Sequence, residues 1–278
     1  MKILFFGDIM GKPGRSAVAK ILPGLKKELQ PDIVIANIEN LAHGKGVTLS
    51  TIQNLVDGGV DFFTSGNHIY DKPEYKKVLE QFGGKIIRPA NFAPDLAGDG
   101  YKIVEVGDDS ILLVNLLGEV FMSEQVDQGP LTSPFYKINE ILEKVGHDPK
   151  IKILDFHAEA TSEKRAMGFW LDGRMSAVVG THAHVPTADA QILPGGTGYI
   201  TDIGMTGGAH SVIGVTTKSA LARFQMHDLE QKKVALEIPD DDGRYEVSYV
   251  LLEIDEATGK CQNITSRAIP IYDINNQN

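Results

Sequence analysis

The sequence predicts a mixed α/β (α+β) fold in which two β-sheets pack as a sandwich and helices flank the sheets. Short apolar runs alternate with helical segments through the first third of the chain, which is typical of parallel strands joined by helical crossovers. Further β-rich runs occur near the carboxyl end, and five apolar runs each end in a polar cluster. No linker long enough to separate domains interrupts the 278 residues, so we expect a single domain over residues 1–278.

The first part of the chain contains three predicted strands and three predicted helices. Each strand is a short apolar run between polar residues or glycines, and the helices have apolar residues at helical spacing. In chain order the predicted elements are strand 2–6, helix 15–29, strand 32–38, helix 50–57, strand 61–64 and helix 73–82. Residues 11–14 have the composition of a turn, and Pro23-Gly24 predicts a kink or a break in the first helix.

The rest of the chain is richer in predicted strands than in predicted helices. The predicted elements are a hairpin over residues 102–116, a loop over 119–134, a helix over 135–145, strands over 152–156 and 176–179, and a hairpin that includes 199–203. Residues 204–208 form a predicted glycine-rich loop. Two late β-rich runs, 233–238 and 245–254, flank an acidic turn and predict another hairpin.

The composition is that of a soluble globular protein, with 42% hydrophobic and 23% charged residues. The net charge of −10 argues against stable binding of nucleic acid, although a metal site would still attract a phosphate group. The single cysteine, Cys261, excludes an intrachain disulfide and argues against a thiolate zinc site. The chain shows neither a secretory signal pattern nor an apolar stretch of membrane-spanning length. We therefore expect a cytoplasmic protein with no membrane partner. The sequence leaves open whether the protein forms a homo-oligomer.

Metal-type ligands follow five of the apolar runs. The carboxyl ends of strands in an α/β sheet face one crevice, so side chains at those ends should converge there. The clusters are Gly7-Asp8, Glu39-Asn40, Gly66-Asn67-His68, His157 with Glu159, and His182-Ala183-His184. A mixture of carboxylate, amide and imidazole ligands suits iron, manganese or zinc better than calcium or magnesium alone. The sequence therefore predicts a metallohydrolase.

Taken one at a time, these residues have simpler explanations. Asp8 alone is more often a turn or helix-cap residue, and His157 alone could be a hydrogen-bonded core histidine. The spacing His182-x-His184 after an apolar run is more specific, because it can place two imidazoles on different metal ions. The complete set provides the terminal carboxylate, the shared carboxylate and the neutral ligands that a two-metal hydrolase requires.

The motifs resemble those of the calcineurin-like metallophosphoesterase superfamily. The shared blocks are Gly7-Asp8, Gly66-Asn67-His68 and the terminal His182-x-His184. Met10 stands where the superfamily has a histidine, and Glu39 stands where an aspartate usually bridges the metals. Both departures match one branch, the bacterial 2′,3′-cyclic-nucleotide 2′-phosphodiesterases of the YmdB type. The blocks at 38–46, 66–68, 88–92, 155–164 and 201–207 also resemble that branch, so the similarity extends from residue 1 to about 210 and more weakly beyond.

The resemblance implies a two-metal site and a reaction. The metal of the resembling family is most often iron, as Fe²⁺ or Fe³⁺, and Mn²⁺ can substitute for it. The first ion would be held by Asp8, Glu39, Asn40 and His184, and the second by Glu39, Asn67, His157 and His182. Glu39 would then bridge the ions, and Asn40 would compensate for the histidine absent at Met10. A metal-bridged hydroxide would open a small-molecule 2′,3′-cyclic nucleotide, converting 2′,3′-cAMP to 3′-AMP, while His68 protonates the leaving oxygen.

Two other functions fit the same residues. The site could serve a broader phosphomonoesterase or RNA phosphodiesterase, although the acidic chain lacks the aromatic and basic stripe of an RNA-binding surface. Alternatively the protein could be a regulatory nucleotide sensor with incidental turnover. The complete catalytic set, including His68, favours an enzyme. The roles of His43, Glu159 and Lys164 stay open, because the sequence does not decide between substrate contact and support of a ligand.

Overall fold

The structure is a computed structural model that describes residues 1–226 and 234–272. Within these residues the chain forms two six-stranded sheets, a small hairpin and six α-helices. In chain order the elements are β1 (Lys2–Ile9), α1 (Gly11–Leu29), β2 (Ile33–Asn37), α2 (Leu49–Asp57), β3 (Phe62–Thr64), α3 (Tyr75–Phe82), β4 (Tyr101–Val106), β5 (Asp109–Leu117), a 3₁₀-helix (Ser123–Gln125), α4 (Pro134–Val145), β6 (Ile151–His157), α5 (Thr161–Trp170), β7 (Ala177–Thr181), β8 (Gln191–Ile192), β9 (Gly198–Ile200), β10 (Met205–Gly208), β11 (Ser211–Val212), β12 (Val215–Thr216), α6 (Thr217–Phe224), β13 (Arg244–Ile254) and β14 (Cys261–Tyr272).

The first sheet has the order β14-β13-β10-β1-β2-β3. Its strands β10, β1, β2 and β3 run parallel, whereas β13 runs antiparallel to β1, β10 and β14. The parallel strands are joined by α1 and α2, as the alternation of apolar runs and helical segments predicts. Parallel pairing brings the carboxyl ends of β1, β2 and β3 to the same edge of the sheet.

The second sheet has the order β4-β5-β6-β7-β9-β8. Its four central strands are parallel, and the edge strands β4 and β8 pair antiparallel with their neighbours. The predicted hairpin over residues 102–116 is the β4–β5 pair, and it is confirmed. The parallel β6 and β7 present their carboxyl ends at one edge, as β1, β2 and β3 do in the first sheet.

The two sheets pack face to face across an apolar core. Ile3 and Phe5 of β1 and Ile111 and Leu113 of β5 lie in this inner core. Residues at alternating positions of β1, such as Leu4, face the helices instead, because successive side chains of a strand point to opposite faces. Each such side chain contributes about 1.5–3 kcal/mol when it is fully buried. The predicted sandwich flanked by helices is therefore confirmed.

Helices cover the outer face of each sheet. Apolar residues of α1 and α2 pack with the outer face of the first sheet, and those of α4 and α5 pack on the second sheet. The helices α5 and α6 were not predicted from the sequence. No helix within residues 1–226 and 234–272 combines the length and the apolar character needed to cross a membrane.

Two predictions for the first helix, a turn over residues 11–14 and a break at Pro23-Gly24, were wrong. The turn predicted over residues 11–14 is the first turn of α1, where Pro13 costs little because the first helical N–H groups have no partner in the helix. The helix also continues through Pro23 and Gly24. Both residues lie on its exposed side, while Leu22 and Leu25 are buried against the sheet and hold the helix together.

Two predictions near the carboxyl end were also wrong. The predicted loop over 204–208 contains β10, a fully buried strand between β1 and β13. In the predicted run 233–238, residue 233 lies outside the described residues and residues 234–238 form no strand. The partner of β13 is instead β14, which the sequence did not reveal because most of its side chains are exposed or half-buried and show no apolar alternation.

Candidate metal centre

The polar clusters singled out in the sequence meet at one edge of the sandwich. Both sheets contribute, because β1, β2 and β3 end there from the first sheet and β6 and β7 from the second. Asp8 lies near the end of β1, Glu39 and Asn40 follow β2, Asn67 and His68 follow β3, His157 ends β6, and His182 and His184 follow β7. Asp8, Glu39, Asn40, Asn67 and His157 are buried, and the two later histidines are half-buried.

One group of ligand-type atoms surrounds the His157 ring. Its Nε2 lies 3.1 Å from Glu39 Oε2, 3.2 Å from Asn67 Oδ1 and 3.1 Å from His182 Nδ1. A single ring N–H cannot satisfy three acceptors, whereas a cation among them would be bound by all the lone pairs. The ligand atoms of Glu39, His157 and His182 lie within 4.8 Å of one another.

A second group is built on Asp8 and His184 and shares Glu39 with the first. The ligand atoms of Asp8, Glu39 and His184 also lie within 4.8 Å of one another. Asp8 Oδ1 is buried without a hydrogen-bond partner, although Oδ2 accepts a bond from the His182 backbone N–H at 3.1 Å. Asn40 Oδ1 lies 3.2 Å from His184 Nε2, and its amide donates to the Gly44 carbonyl at 2.9 Å. A buried carboxylate oxygen without a donor is the counterpart expected for a cation.

The second nitrogen of each half-buried imidazole faces an oxygen acceptor. His182 Nε2 lies 2.9 Å from Glu159 Oε2, and His184 Nδ1 lies 2.8 Å from the Ile213 carbonyl. Such contacts fix the ring tautomer and leave the other nitrogen with a free lone pair, as in known metal sites. Glu159, whose role stayed open in the sequence, thus supports His182.

His157 is oriented by a hydrogen-bond chain. Its Nδ1 lies 2.8 Å from Thr181 Oγ1, and this hydroxyl donates to Asp155 Oδ1 at 2.7 Å. Because the threonine proton is used toward Asp155, its oxygen accepts from His157 Nδ1–H, and Nε2 remains available as a ligand. The buried Asp155 also accepts bonds from Asn37 and Thr64.

A buried ion pair supports the loop that carries His182 and His184. Lys164 Nζ donates to Asp202 Oδ2 at 2.6 Å and to the Thr181 carbonyl at 2.7 Å. Asp202 Oδ2 also accepts the Ala183 backbone N–H at 2.9 Å. Lys164 is only 1% exposed, so it supports the loop and does not contact substrate. Both histidines have positive φ angles, 98° and 63°, a conformation that requires such support.

The electrostatics of the cluster couple its carboxylates to His157. Burial raises the pKa of Asp8 to about 6, against the opposing effect of His184 and His157. Burial alone would raise the pKa of Glu39 and lower that of His157, but their mutual attraction dominates. The pKa of Glu39 consequently lies below its usual range, and that of His157 is raised to about 9. Burial and the charge of His157 lower the pKa of His182 to about 3.

His68 lies beside the ligand groups but is oriented differently. Its Nδ1 lies 2.8 Å from Asp71 Oδ2, and its backbone N–H donates to Glu39 Oε2 at 3.2 Å. The carboxylate of Asp71 fixes the orientation of the ring through Nδ1, and Nε2 lies 3.4 Å from Asn67 Nδ2. Asp71 could not be recognised in the sequence, because a lone aspartate shortly after Gly66-Asn67-His68 carries no distinctive motif.

A cleft of about 500 Å³ opens over the ligand groups. Three basic side chains line it together with Glu39, His182 and other ligand candidates, and the basic residues are His43, Lys45 and Arg223. Met10 lines it as well and packs in an apolar cluster with Met205 and Val215. Met10, which stands where the superfamily has a histidine, therefore makes apolar contacts in this chain.

Fold and site together define a class of protein. A two-sheet sandwich flanked by helices, with two ligand groups sharing one carboxylate where strands of both sheets end, is the arrangement of a metallophosphoesterase. Residues 4–266 match the family described as YmdB-like protein, and the chain belongs to this family.

Relatives with known names or structures cover nearly the whole chain. The chain is 40% identical over 264 residues to the 2′,3′-cyclic-nucleotide 2′-phosphodiesterase of Bacillus subtilis (strain 168), covering 95% of both chains. A crystal structure of a phosphatase from Mycoplasma pneumoniae has a TM-score of 0.88 and 33% identity, covering 99% of this chain and 95% of that one. A protein of Thermus thermophilus has a TM-score of 0.87 and 38% identity, covering 98% of this chain and 100% of that one.

More distant structures share the fold alone. The 5′-nucleotidase of Candida albicans has a TM-score of 0.58 at 12% identity, and the match covers 99% of this chain and 52% of that one. The sandwich is thus common to proteins with very different sequences, and the particular residues of the site carry the functional information.

Replacing Gly66 by alanine should abolish metal binding. A Cβ at Gly66 would overlap Glu39 Oε2 and the His157 ring, which face each other in the ligand group around His157. We expect Gly66→Ala to remain folded by circular dichroism and to lose most of its bound metal in elemental analysis. Gly24→Ala is the matched control, because no atom lies within 4 Å of a Cβ at that position. A Gly66→Ala protein with the metal content of the control would contradict this geometry.

Metal affinity should fall as the pH falls below about 9. In the metal-free protein the pKa of His157 is raised to about 9, so at neutral pH a metal ion has to displace its proton. Each lower pH unit should weaken binding about tenfold, and protonation of Asp8 near pH 6 should steepen the loss. Calorimetric titration of Mn²⁺ at about pH 7.5 in buffers of different ionisation enthalpy measures the released proton. An identical heat in every buffer would show that no proton leaves.

Proposed function

We propose that the protein is a two-metal phosphodiesterase that hydrolyses 2′,3′-cyclic nucleotides to 3′-nucleotides. The observation that carries this proposal is the pair of ligand groups sharing Glu39, with His68 next to them in an open cleft. The name of the Bacillus subtilis relative, 40% identical over 95% of both chains, supports the substrate class.

The ligand assignment follows the two groups. Asp8, Glu39, Asn40 and His184 would hold one ion, and Glu39, Asn67, His157 and His182 would hold the other. The first set has two carboxylates, an amide oxygen and an imidazole, and the second has one carboxylate, an amide oxygen and two imidazoles. Such mixed oxygen and nitrogen sets suit iron or manganese, and we propose iron as the native metal with Mn²⁺ as a substitute. When bound, the two ions would supply a nucleophile from water near neutral pH and neutralise charge on the phosphoryl oxygens.

His68 would be the general acid. The leaving group is the ribose 2′ oxygen, which departs as an alkoxide unless it receives a proton as the bond breaks. Asp71 holds Nδ1 of His68 at 2.8 Å and thereby directs Nε2 away from itself, and His68 lines the cleft. Proton transfer from Nε2 would leave a 3′-phosphate and a free 2′ hydroxyl. His68 would then recover its proton from water before the next turnover.

The basic residues of the cleft would help to attract the substrate. Lys45 and Arg223 line the same cleft as the ligand groups, within a chain whose net charge is −10. Their two charges would attract an anionic phosphate toward the site, against the field of the remaining surface. Two cations beside one cleft suit a mononucleotide better than a long nucleic acid, which needs many phosphate contacts.

A phosphomonoesterase is the second candidate. It is favoured by the Mycoplasma pneumoniae structure, which is described as a phosphatase and is 33% identical to this chain. A monoester would present the same phosphoryl group to both ligand groups and would need the same protonation of its leaving oxygen. Nucleotide sensing with incidental turnover is less well supported, because a sensor has no need of the proton donor that His68 and Asp71 provide.

Turnover of 2′,3′-cAMP by the Mn²⁺- or iron-loaded protein tests the proposed function. We expect 3′-AMP as the product, identified by chromatography, and a higher kcat/KM than with the monoester p-nitrophenyl phosphate. His68→Ala should retain both metal ions and lose about 10²–10⁴-fold in kcat, the usual contribution of general acid catalysis. His147→Ala is the control, because His147 is an exposed histidine outside the cleft.

The outcomes separate the alternatives. Formation of 2′-AMP, or no turnover with both ions bound, would contradict the proposed reaction. A faster reaction with the monoester would favour the phosphatase. An unchanged rate in His68→Ala would remove this histidine from the mechanism while leaving the substrate class intact.

A further inference from the structure

A strained residue stands at the tip of the small hairpin beside the site. Strands β11 and β12 pair Ser211 with Thr216 and Val212 with Val215, so Ile213 and Gly214 form a two-residue turn. Both turn residues have positive φ, 46° for Ile213 and 95° for Gly214. Turns of this kind favour Asn-Gly or Gly-Gly, because a β-branched side chain is strongly disfavoured at positive φ. An isoleucine here therefore lowers stability and calls for another explanation.

The hydrogen bond to His184 does not explain the isoleucine. It is the backbone carbonyl of Ile213 that accepts from His184 Nδ1, at 2.8 Å, and any residue could provide it. Asparagine at this position would keep that carbonyl and relax the turn. The hairpin packs closely against Met10, and a Cβ at Gly214 would overlap the Met10 side chain. The feature that needs explaining is consequently the isoleucine side chain, which is 52% exposed in the cleft.

This side chain belongs to an apolar wall that faces the cleft. The wall comprises Met10, Ile213, Val215, Leu236 and Ile238, and the remaining lining is polar or charged apart from Gly44 and Ala183. Ile213 and Leu236 are 52% and 43% exposed, although an exposed apolar side chain gains nothing from water. Phosphate hydrolysis does not need such a wall, whereas a ligand with a flat apolar face would bury it.

We propose that Ile213 and the apolar wall bind the base of the nucleotide. The inference rests on the proposed function, in which the cyclic phosphate occupies the ligand groups. In a nucleoside the base is attached at C1′, next to C2′ and on the opposite face of the ribose from the 2′ and 3′ oxygens, so it can reach a wall beside the phosphate site. Ile213 is suited to this role because its carbonyl touches the ligand His184 while its side chain points into the cleft. Apolar packing ignores the hydrogen-bonding edges of a base, so the wall accepts all four bases and favours purines by their larger face.

Paired ligands with and without a base test this proposal. Turnover of 2′,3′-cAMP is compared with that of 1-O-methylribose 2′,3′-cyclic phosphate, which has the same reacting group and no base. Ile213→Asn should raise KM about tenfold for 2′,3′-cAMP, leave KM for the abasic substrate unchanged, and keep or raise the melting temperature. Ile213→Val keeps a smaller apolar side chain and should raise KM for 2′,3′-cAMP by less than Ile213→Asn does. Ile103→Asn is the matched control, because Ile103 is 50% exposed on β4 and outside this cleft.

An equal rise in KM for both substrates in Ile213→Asn would show that Ile213 acts through His184, and this result would overturn the proposal. An unchanged KM for both substrates would overturn it as well. Calorimetric binding of 3′-AMP and ribose 3-phosphate to the Mn²⁺-loaded protein gives a result that does not depend on turnover. Tighter binding of 3′-AMP, lost in Ile213→Asn, would support the wall even if the cyclic diester were not hydrolysed. Base-dependent binding of 3′-AMP without hydrolysis of the cyclic diester would contradict only the proposed reaction. Equal binding of both ligands by the wild type would overturn the inference.

Discussion

The burial of several ionisable groups in one place is the constraint on which the site depends. Asp8, Glu39 and His157 are fully or almost fully excluded from water, and removing charges from water is costly unless they are paired. One His157 ring cannot neutralise two carboxylates and also satisfy the other acceptors around its Nε2. Two cations shared through Glu39 would compensate these charges, and the same arrangement would create the reactive centre. The stability of this edge and its chemistry are thus linked.

The rest of the sandwich holds these groups in position. The parallel strands of both sheets bring the ligand-type residues to one edge, and buried polar networks set their orientation. Asp155 acts on His157 through Thr181, while the buried Lys164–Asp202 pair holds the turn that presents the two later histidines. A half-satisfied network of this kind would destabilise the protein more than an apolar core, so these side chains have to be arranged together. Such rigidity provides the preorganisation that catalysis by fixed charges requires.

The sequence reveals most of the strand ends and the polar clusters that follow them, because strands and their flanking residues are local in sequence. It predicts less well where tertiary contacts override local signals. The glycine-rich segment of β10 resembles a loop, yet it is a buried central strand, and β14 pairs through its backbone while most of its side chains are exposed or half-buried. The sequence leaves the role of Lys164 open, and the structure buries this residue in a pair with the distant Asp202. The positive φ of Ile213 and its contact with His184 cannot be read from the chain, since both arise from the packing of a later hairpin against Met10.

Anomalous diffraction from crystals of the Mn²⁺-loaded protein tests the central claim most directly. Data collected on both sides of the manganese absorption edge locate the ions without assumptions about their ligands. We predict two peaks about 3.5–4 Å apart, the usual separation in two-metal hydrolases, with the Glu39 carboxylate in contact with both. A single peak at full occupancy, or two peaks of which Glu39 touches only one, would contradict the account.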